Sequence, residues 1–123
     1  MISKIKDCKK VDKPWGYEIH WANCEKYVGK ILSINPHHRL SLQYHEVKEE
    51  TIYVMSGVLI LWESEDEESG KFLGPGSVYH VKPTQVHRFG AGNQPVMLME
   101  VSSPEIDDVV RIKDDYKRED NEQ

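Results

Sequence analysis

The chain is predicted to be a small all-β domain, a sandwich or barrel, on three observations. Short strand-like runs recur along most of its 123 residues, separated by Gly and Pro turns. Several of these runs alternate polar with apolar residues, the two-residue period of a strand with one buried face. No stretch carries a convincing helical period, and no sequence repeat is present.

Composition sets further bounds. The length suits one domain with a modest core and leaves no room for a second catalytic domain. Charged residues make up 30% and apolar residues 38%, with a net charge of −5, which is the balance of a globular rather than a disordered chain. The 16 basic residues are scattered and outnumbered by 21 acids, which argues against a nucleic-acid partner. No apolar run approaches the roughly 20 residues of a membrane-spanning helix, so no membrane partner is expected. The start MISKIKDCKK lacks the apolar core of a secretory signal, and the expected compartment is the cytoplasm. Cys8 and Cys24 are expected there as free thiols.

In chain order, residues 1–12 read as a basic arm or edge strand, 13–112 as the barrel and 113–123 as a charged tail. Lys13-Pro14-Trp15-Gly16 is a turn into the strand YEIHWAN, with His20 assigned to an outer face. KYVGKILSIN is a longer strand whose Gly29 marks a bulge or a close backbone approach. Pro36-His37-His38 turns the chain into RLSLQYH, where Arg39, Ser41, Gln43 and His45 alternate with Leu40, Leu42 and Tyr44 and are expected on one face. Glu49 and Glu50 follow, then TIYVMS and a hairpin turn at Ser56-Gly57. VLILWES is apolar on both faces, which predicts cover on each side and hints at a homodimer. The acidic run Glu63 to Gly70 is a solvated loop without the spacing of a calcium site. Gly74-Pro75-Gly76 turns into SVYHVKP, with His80 and Lys82 on one face, and PVMLMEVSS is the last strong strand, with Glu100 on the face of Val96 and Leu98. Val109, Val110 and Ile112 anchor the tail before a frayed end, and Trp15, Trp21 and Trp62 read as packing residues.

The polar row and the acids beyond it can bring an amide oxygen, an imidazole and a carboxylate to one spot. Here the sequence resembles a known family. Gln43-x-His45, Glu50 after four intervening residues and Gly57 after six more match the first motif of the cupin barrels in its phosphomannose isomerase form. GSVYHVKPTQVHRF resembles the second motif, with His87 at the place of the last metal ligand. KPWGYE, RLSLQYH, LMEVSS and DDVVRIKDDYKR extend the resemblance to the cupin domain of type II mannose-6-phosphate isomerases over residues 13 to 118. Three turn positions depart from the pattern: the family's glycines fall at His37 and Thr84, and its proline at Lys82. The nucleotidyltransferase domain of bifunctional members is missing, so sugar-nucleotide synthesis is not expected of this polypeptide.

The resemblance implies a single-domain cupin, a small double-stranded β-helix or jelly-roll barrel. It implies metal ligation by Gln43, His45, Glu50 and His87, a mixed nitrogen and oxygen set that suits Zn²⁺ first, with Fe²⁺, Mn²⁺, Co²⁺ or Ni²⁺ as alternatives. It also implies an aldose–ketose isomerase that interconverts mannose 6-phosphate and fructose 6-phosphate. Such chemistry needs polarised C1 and C2 oxygens, a base and cations for the phosphate. Arg39 is the first candidate for catalytic and phosphate contact, Lys30 the second and Lys82 the third, with Arg88 last. His80 is a substrate-contact candidate, and Glu100, flanked by apolar residues, is the candidate proton carrier. Two other readings stay open: different metal chemistry on the same barrel, such as an oxygenase, lyase or epimerase, and a non-catalytic sugar-binding cupin.

Overall fold

The structure, a computed structural model, describes residues 1–119. Eleven strands and two single 3₁₀ turns follow one another in the order β1 (Lys9–Lys13), β2 (Gly16–Asn23), β3 (Val28–Ile34), β4 (Leu42–Tyr44), β5 (Glu50–Ser56), β6 (Leu59–Trp62), β7 (Lys71–Leu73), β8 (Val78–Val81), β9 (Arg88–Ala91), β10 (Val96–Ser102) and β11 (Val110–Lys113). Six of them make an antiparallel sheet in the order β1-β2-β3-β10-β5-β8. The facing layer consists of β7-β6-β9 and the pair β11-β4. Backbone bridges Gln43↔His87 and Arg39↔Gly90 join these two pieces. The all-β barrel expected from the alternating runs is therefore present, and among the described residues no helix is long and apolar enough to cross a membrane.

Between the layers lies a core of Trp15, Leu32, Ile34, Ile52, Val54, Leu59, Leu61, Val81, Phe89, Ala91, Val96 and Leu98. Period-two alternation places these residues: along β10, Val96, Leu98, Glu100 and Ser102 are buried while Met97, Met99 and Val101 are not. Register then stacks the inward residues into rows across the large sheet. Glu18, Leu32, Leu98 and Val54 form one row, and His20, Lys30, Glu100 and Ile52 the next. The interior is thus oily at one end and charged at the other.

Several expectations are resolved here. Gly29 combines both of its predicted features: the Trp21 ring lies over it, where an added Cβ would meet ring atoms at 2.6 Å, and β2 shifts register opposite it, between His20 and Ala22. His20 is a correction, because it points inward and is 7% exposed. Within this chain VLILWES is covered fully on one side: Leu59 and Leu61 enter the core, and Val58 is 48% exposed. Residues 9–13 form a true edge strand, paired with β2. The tail is described to Glu119, and the rest of the expected frayed end lies outside the described residues.

Turn chemistry holds the ends together. Gly57 adopts φ +77, and a Cβ there would lie 2.2 Å from the Pro95 carbonyl oxygen. Gly57→Ala is expected to destabilise the protein by at least about 1–3 kcal/mol, the usual cost of a left-handed non-glycine residue. Urea unfolding reads this as a lower midpoint, and an unchanged midpoint would show that the turn can relax.

Candidate functional site

The charged end of the interior is a cavity lined by residues from both layers. Its first wall arises where the two motif segments meet. Gln43 and His87 exchange both backbone hydrogen bonds, at 3.0 and 2.9 Å, so their side chains stand as cross-strand neighbours. His45 follows two residues on, and its carbonyl accepts a 2.6 Å bond from the Thr84 N–H. Thr84 and His37, at the two expected glycine positions, both adopt left-handed backbone with φ 68 and 61. The turn geometry that favours glycine is kept without glycine.

The second wall is Glu50, the first residue of β5 on the large sheet. Its Oε1 lies 2.8 Å from His45 Nε2 and 3.5 Å from His87 Nε2, and all three residues are buried. One ligand atom from each lies within 4.8 Å of the other two. The other ring nitrogens face backbone carbonyls: His45 Nδ1 lies 2.5 Å from the Asp108 oxygen and His87 Nδ1 lies 3.0 Å from the Gln85 oxygen. A carbonyl only accepts, so both Nδ1 atoms donate and both Nε2 atoms present lone pairs in the neutral imidazoles. Two lone pairs and a carboxylate oxygen then converge in a buried space, and they repel unless a positive charge sits among them. Glu50 Oε2 is also buried without a hydrogen-bond partner. This group fits a divalent cation. Gln43 lines the same cavity, with its Nε2 held by Ser41 Oγ at 3.0 Å and its amide oxygen at the opposite end of the group.

Charge is compensated in a chain across the floor. Burial would raise the Glu50 carboxyl, yet the Lys48 ammonium and the adjacent Glu100 carboxyl hold it well below the usual carboxylate range. Burial pushes Glu100 up, and the negative charge of Glu50 pushes it further, to about 8, against the pull of Lys48 at 3.3 Å. At the far side, Glu18 Oε1 receives His20 Nε2 at 2.8 Å, Lys30 at 3.3 Å and Lys13 at 3.8 Å. Burial opposes the charge on Glu18, but the His20 hydrogen bond and the two ammonium groups outweigh it and lower the pKa to about 2.

The cavity brings together Gln43, His45, Glu50, His87, Glu100 and Lys30. It does not include Arg39, Lys82 or His80. β4 begins only at Leu42, so the alternation that was expected to aim Arg39 inward does not reach it. Its fork is filled instead by Asp115 at 2.7 Å and Glu67 at 3.1 Å. His80 lies on the outside of the large sheet against Glu49, and Lys82 is exposed. Sequence reasoning missed Glu18, His20, Lys48, Lys13 and the tail residues Asp108, Arg111 and Arg118, all of which line the cavity. Glu18 and His20 did carry a signal, since they alternate on one strand opposite the inward Lys30. The tail residues carried none beyond their place in the resembling block.

The family described as mannose-6-phosphate isomerase C-terminal matches residues 2–114. Among curated proteins, a sequence comparison finds no match. Solved structures with the same fold include the polyketide cyclase RemF from Streptomyces resistomycificus, with a TM-score of 0.74 and 20% identity over 98% of this chain and 89% of that one. A conserved protein with a double-stranded β-helix domain from Klebsiella pneumoniae also gives 0.74, at 17% identity and 91% coverage of each chain. A sugar phosphate isomerase of the cupin superfamily from Silicibacter pomeroyi gives 0.67, at 14% identity over 81% and 73%. These likenesses establish the cupin fold.

Two outcomes are expected of this site. His45→Ala and His87→Ala should each abolish stoichiometric metal binding in elemental analysis while the β circular dichroism persists, and full metal content in both variants would overturn the ligand assignment. For Glu18, a folded pKa of about 2 against an ordinary 4.5 means that its contribution is complete above pH 4.5 and is lost as pH falls through 2. Glu18→Gln should therefore cost about 3 kcal/mol in urea unfolding near neutrality, with the deficit closing toward pH 2. A deficit independent of pH would show that the carboxylate charge is not what matters.

Proposed function

Because this chain belongs to the mannose-6-phosphate isomerase C-terminal family, we propose that it is a metal-dependent aldose–ketose isomerase acting on a sugar phosphate, with mannose 6-phosphate and fructose 6-phosphate as its pair. One observation carries the reading: three donors that fit a divalent cation and a buried carboxyl that holds a proton near neutrality line the same cavity.

His45, Glu50 and His87 would hold the ion, with Gln43 as a fourth donor and Zn²⁺ as the first choice for this nitrogen and oxygen set. When bound, it supplies Lewis acidity to the oxygens on the two interconverting carbons. The backbone carbonyls of Asp108 and Gln85 fix the two imidazoles in the tautomer that leaves Nε2 available. Glu100 is the proton carrier. Buried beside Lys48, it takes the proton from one carbon as a carboxylate, with the ammonium balancing its charge, and returns it to the adjacent carbon as an acid. Lys30, of the four cations ranked from the sequence, is the one that lines the cavity. It contributes positive charge next to Glu100, its register partner on β10.

The test is incubation with mannose 6-phosphate in D₂O, with metal content measured on the same sample. Deuterium should enter C1 or C2, and Glu100→Gln should slow its entry by about 100-fold or more while metal content holds. Saturable binding without exchange would instead make the protein a sugar-phosphate binding module. Oxygen uptake by an iron-loaded sample would replace isomerisation with oxidative chemistry.

A further inference from the structure

Resting on the isomerase reading, we propose that the substrate's phosphoryl group is held by a cationic subsite of Lys13 and Arg118, apart from the His45–Glu50–His87 group. An aldose 6-phosphate carries its dianion at the opposite end of the carbon chain from C1 and C2. A cavity that handles both ends needs cations distinct from the metal ligands, and Arg39, already filled by Asp115 and Glu67, lies outside it.

The two side chains reach the cavity from different parts of the chain. Lys13 ends edge strand β1, separated from the Glu100 strand by β2 and β3. Arg118 is pinned by Asp114, whose carboxylate takes Nε at 3.0 Å and Nη2 at 3.2 Å, and its guanidinium lies over the Tyr116 ring. That arrangement fixes one edge of the fork and leaves Nη1 uncommitted to Asp114.

Around Lys13, among the described residues, the three cations Lys13, Lys30 and Arg118 form ion pairs with two carboxylates, although the whole chain carries −5. Lys13, Lys30 and Arg118 have side chains only 10%, 9% and 9% exposed, and the carboxylates that meet them are Glu18 and Asp114. Glu18 Oε1 is engaged by His20 and Lys30 at shorter range, so Lys13 at 3.8 Å has a Coulombic contact rather than a hydrogen bond. Burial lowers the Lys13 pKa, and although Glu18 opposes this, repulsion from Lys30, Arg118 and Arg111 adds to it. An ammonium without a hydrogen bond among the described residues, repelled by neighbouring cations in a partly desolvated cleft, is stabilised by an incoming dianion.

Inorganic phosphate titrated into the metal-loaded full chain is the direct probe. Lys13→Gln and Arg118→Gln should each weaken phosphate binding by about tenfold or more, whereas Arg39→Gln should leave it within about twofold. Metal content and circular dichroism verify folding, and Lys13→Gln, on an edge strand, decides the matter if Arg118→Gln does not fold. Unchanged phosphate affinity in Lys13→Gln, or a loss confined to Arg39→Gln, overturns the subsite. With mannose 6-phosphate, the subsite variants should raise KM about tenfold with kcat nearly constant. Phosphate binding that depends on Lys13 in a protein without deuterium exchange supports the subsite and rejects the isomerase reading. Exchange with an unchanged KM in the variants does the reverse.

Discussion

Two imidazole lone pairs and a carboxylate oxygen meet inside the barrel, and the rest of the cup is arranged around the charge they demand. Glu50 is 3% exposed and sits at the start of β5, where a hydrophobic residue would extend the core. A buried carboxylate is tolerated only when it is paired. Lys48 supplies that pairing and is itself buried. The charges cannot be moved to the surface without exposing the oily row beneath them, so the requirement passes to Glu100, which meets Lys48 in turn.

This chain of pairings explains why the charged residues follow the register of the large sheet. His20, Lys30 and Glu100 are ladder partners across β2, β3 and β10, one row above Glu18, Leu32 and Leu98. Alternate sign at neighbouring positions lets each group offset the next in a medium where unpaired charge is costly. It also pushes the pKa values of two acids apart. Glu18, surrounded by donors and cations, is lowered to about 2, while Glu100, raised by burial and by Glu50, reaches about 8. The same residue type is thus held ionised at one end of the cavity and protonated at the other, as acid and base chemistry near neutrality requires.

The C-terminal segment completes the cup. The Asp108 carboxylate accepts the N–H groups of Glu46, Val47 and Lys48 at 2.8–3.0 Å, capping the loop between His45 and Glu50. Its carbonyl orients the His45 ring. Asp115 joins Arg39 to Arg88, which also donates to the Leu40 carbonyl, so the segment is stitched to β9 and to the entry of β4. A tail read from sequence as a charged appendage is in fact one wall of the site.

From the residues alone came the all-β class, the alternation of β3, β5 and β10, the free cysteines, and the pairing of Gln43 and His45 on one face, because period two and turn chemistry are local properties. The resemblance to the cupin motifs added Glu50 and His87 to that pair. Tertiary structure decided which charged residues face inward. Arg39 was aimed into the cup by an alternation that the chain abandons before β4, and acids from two distant segments, Glu67 and Asp115, hold it elsewhere. His20, read as an outer residue, turns inward because β2 pairs with β3 in the register that sets it beside Lys30. Whether a buried charge is tolerated depends on partners far away in sequence, and only the folded chain brings those partners within reach.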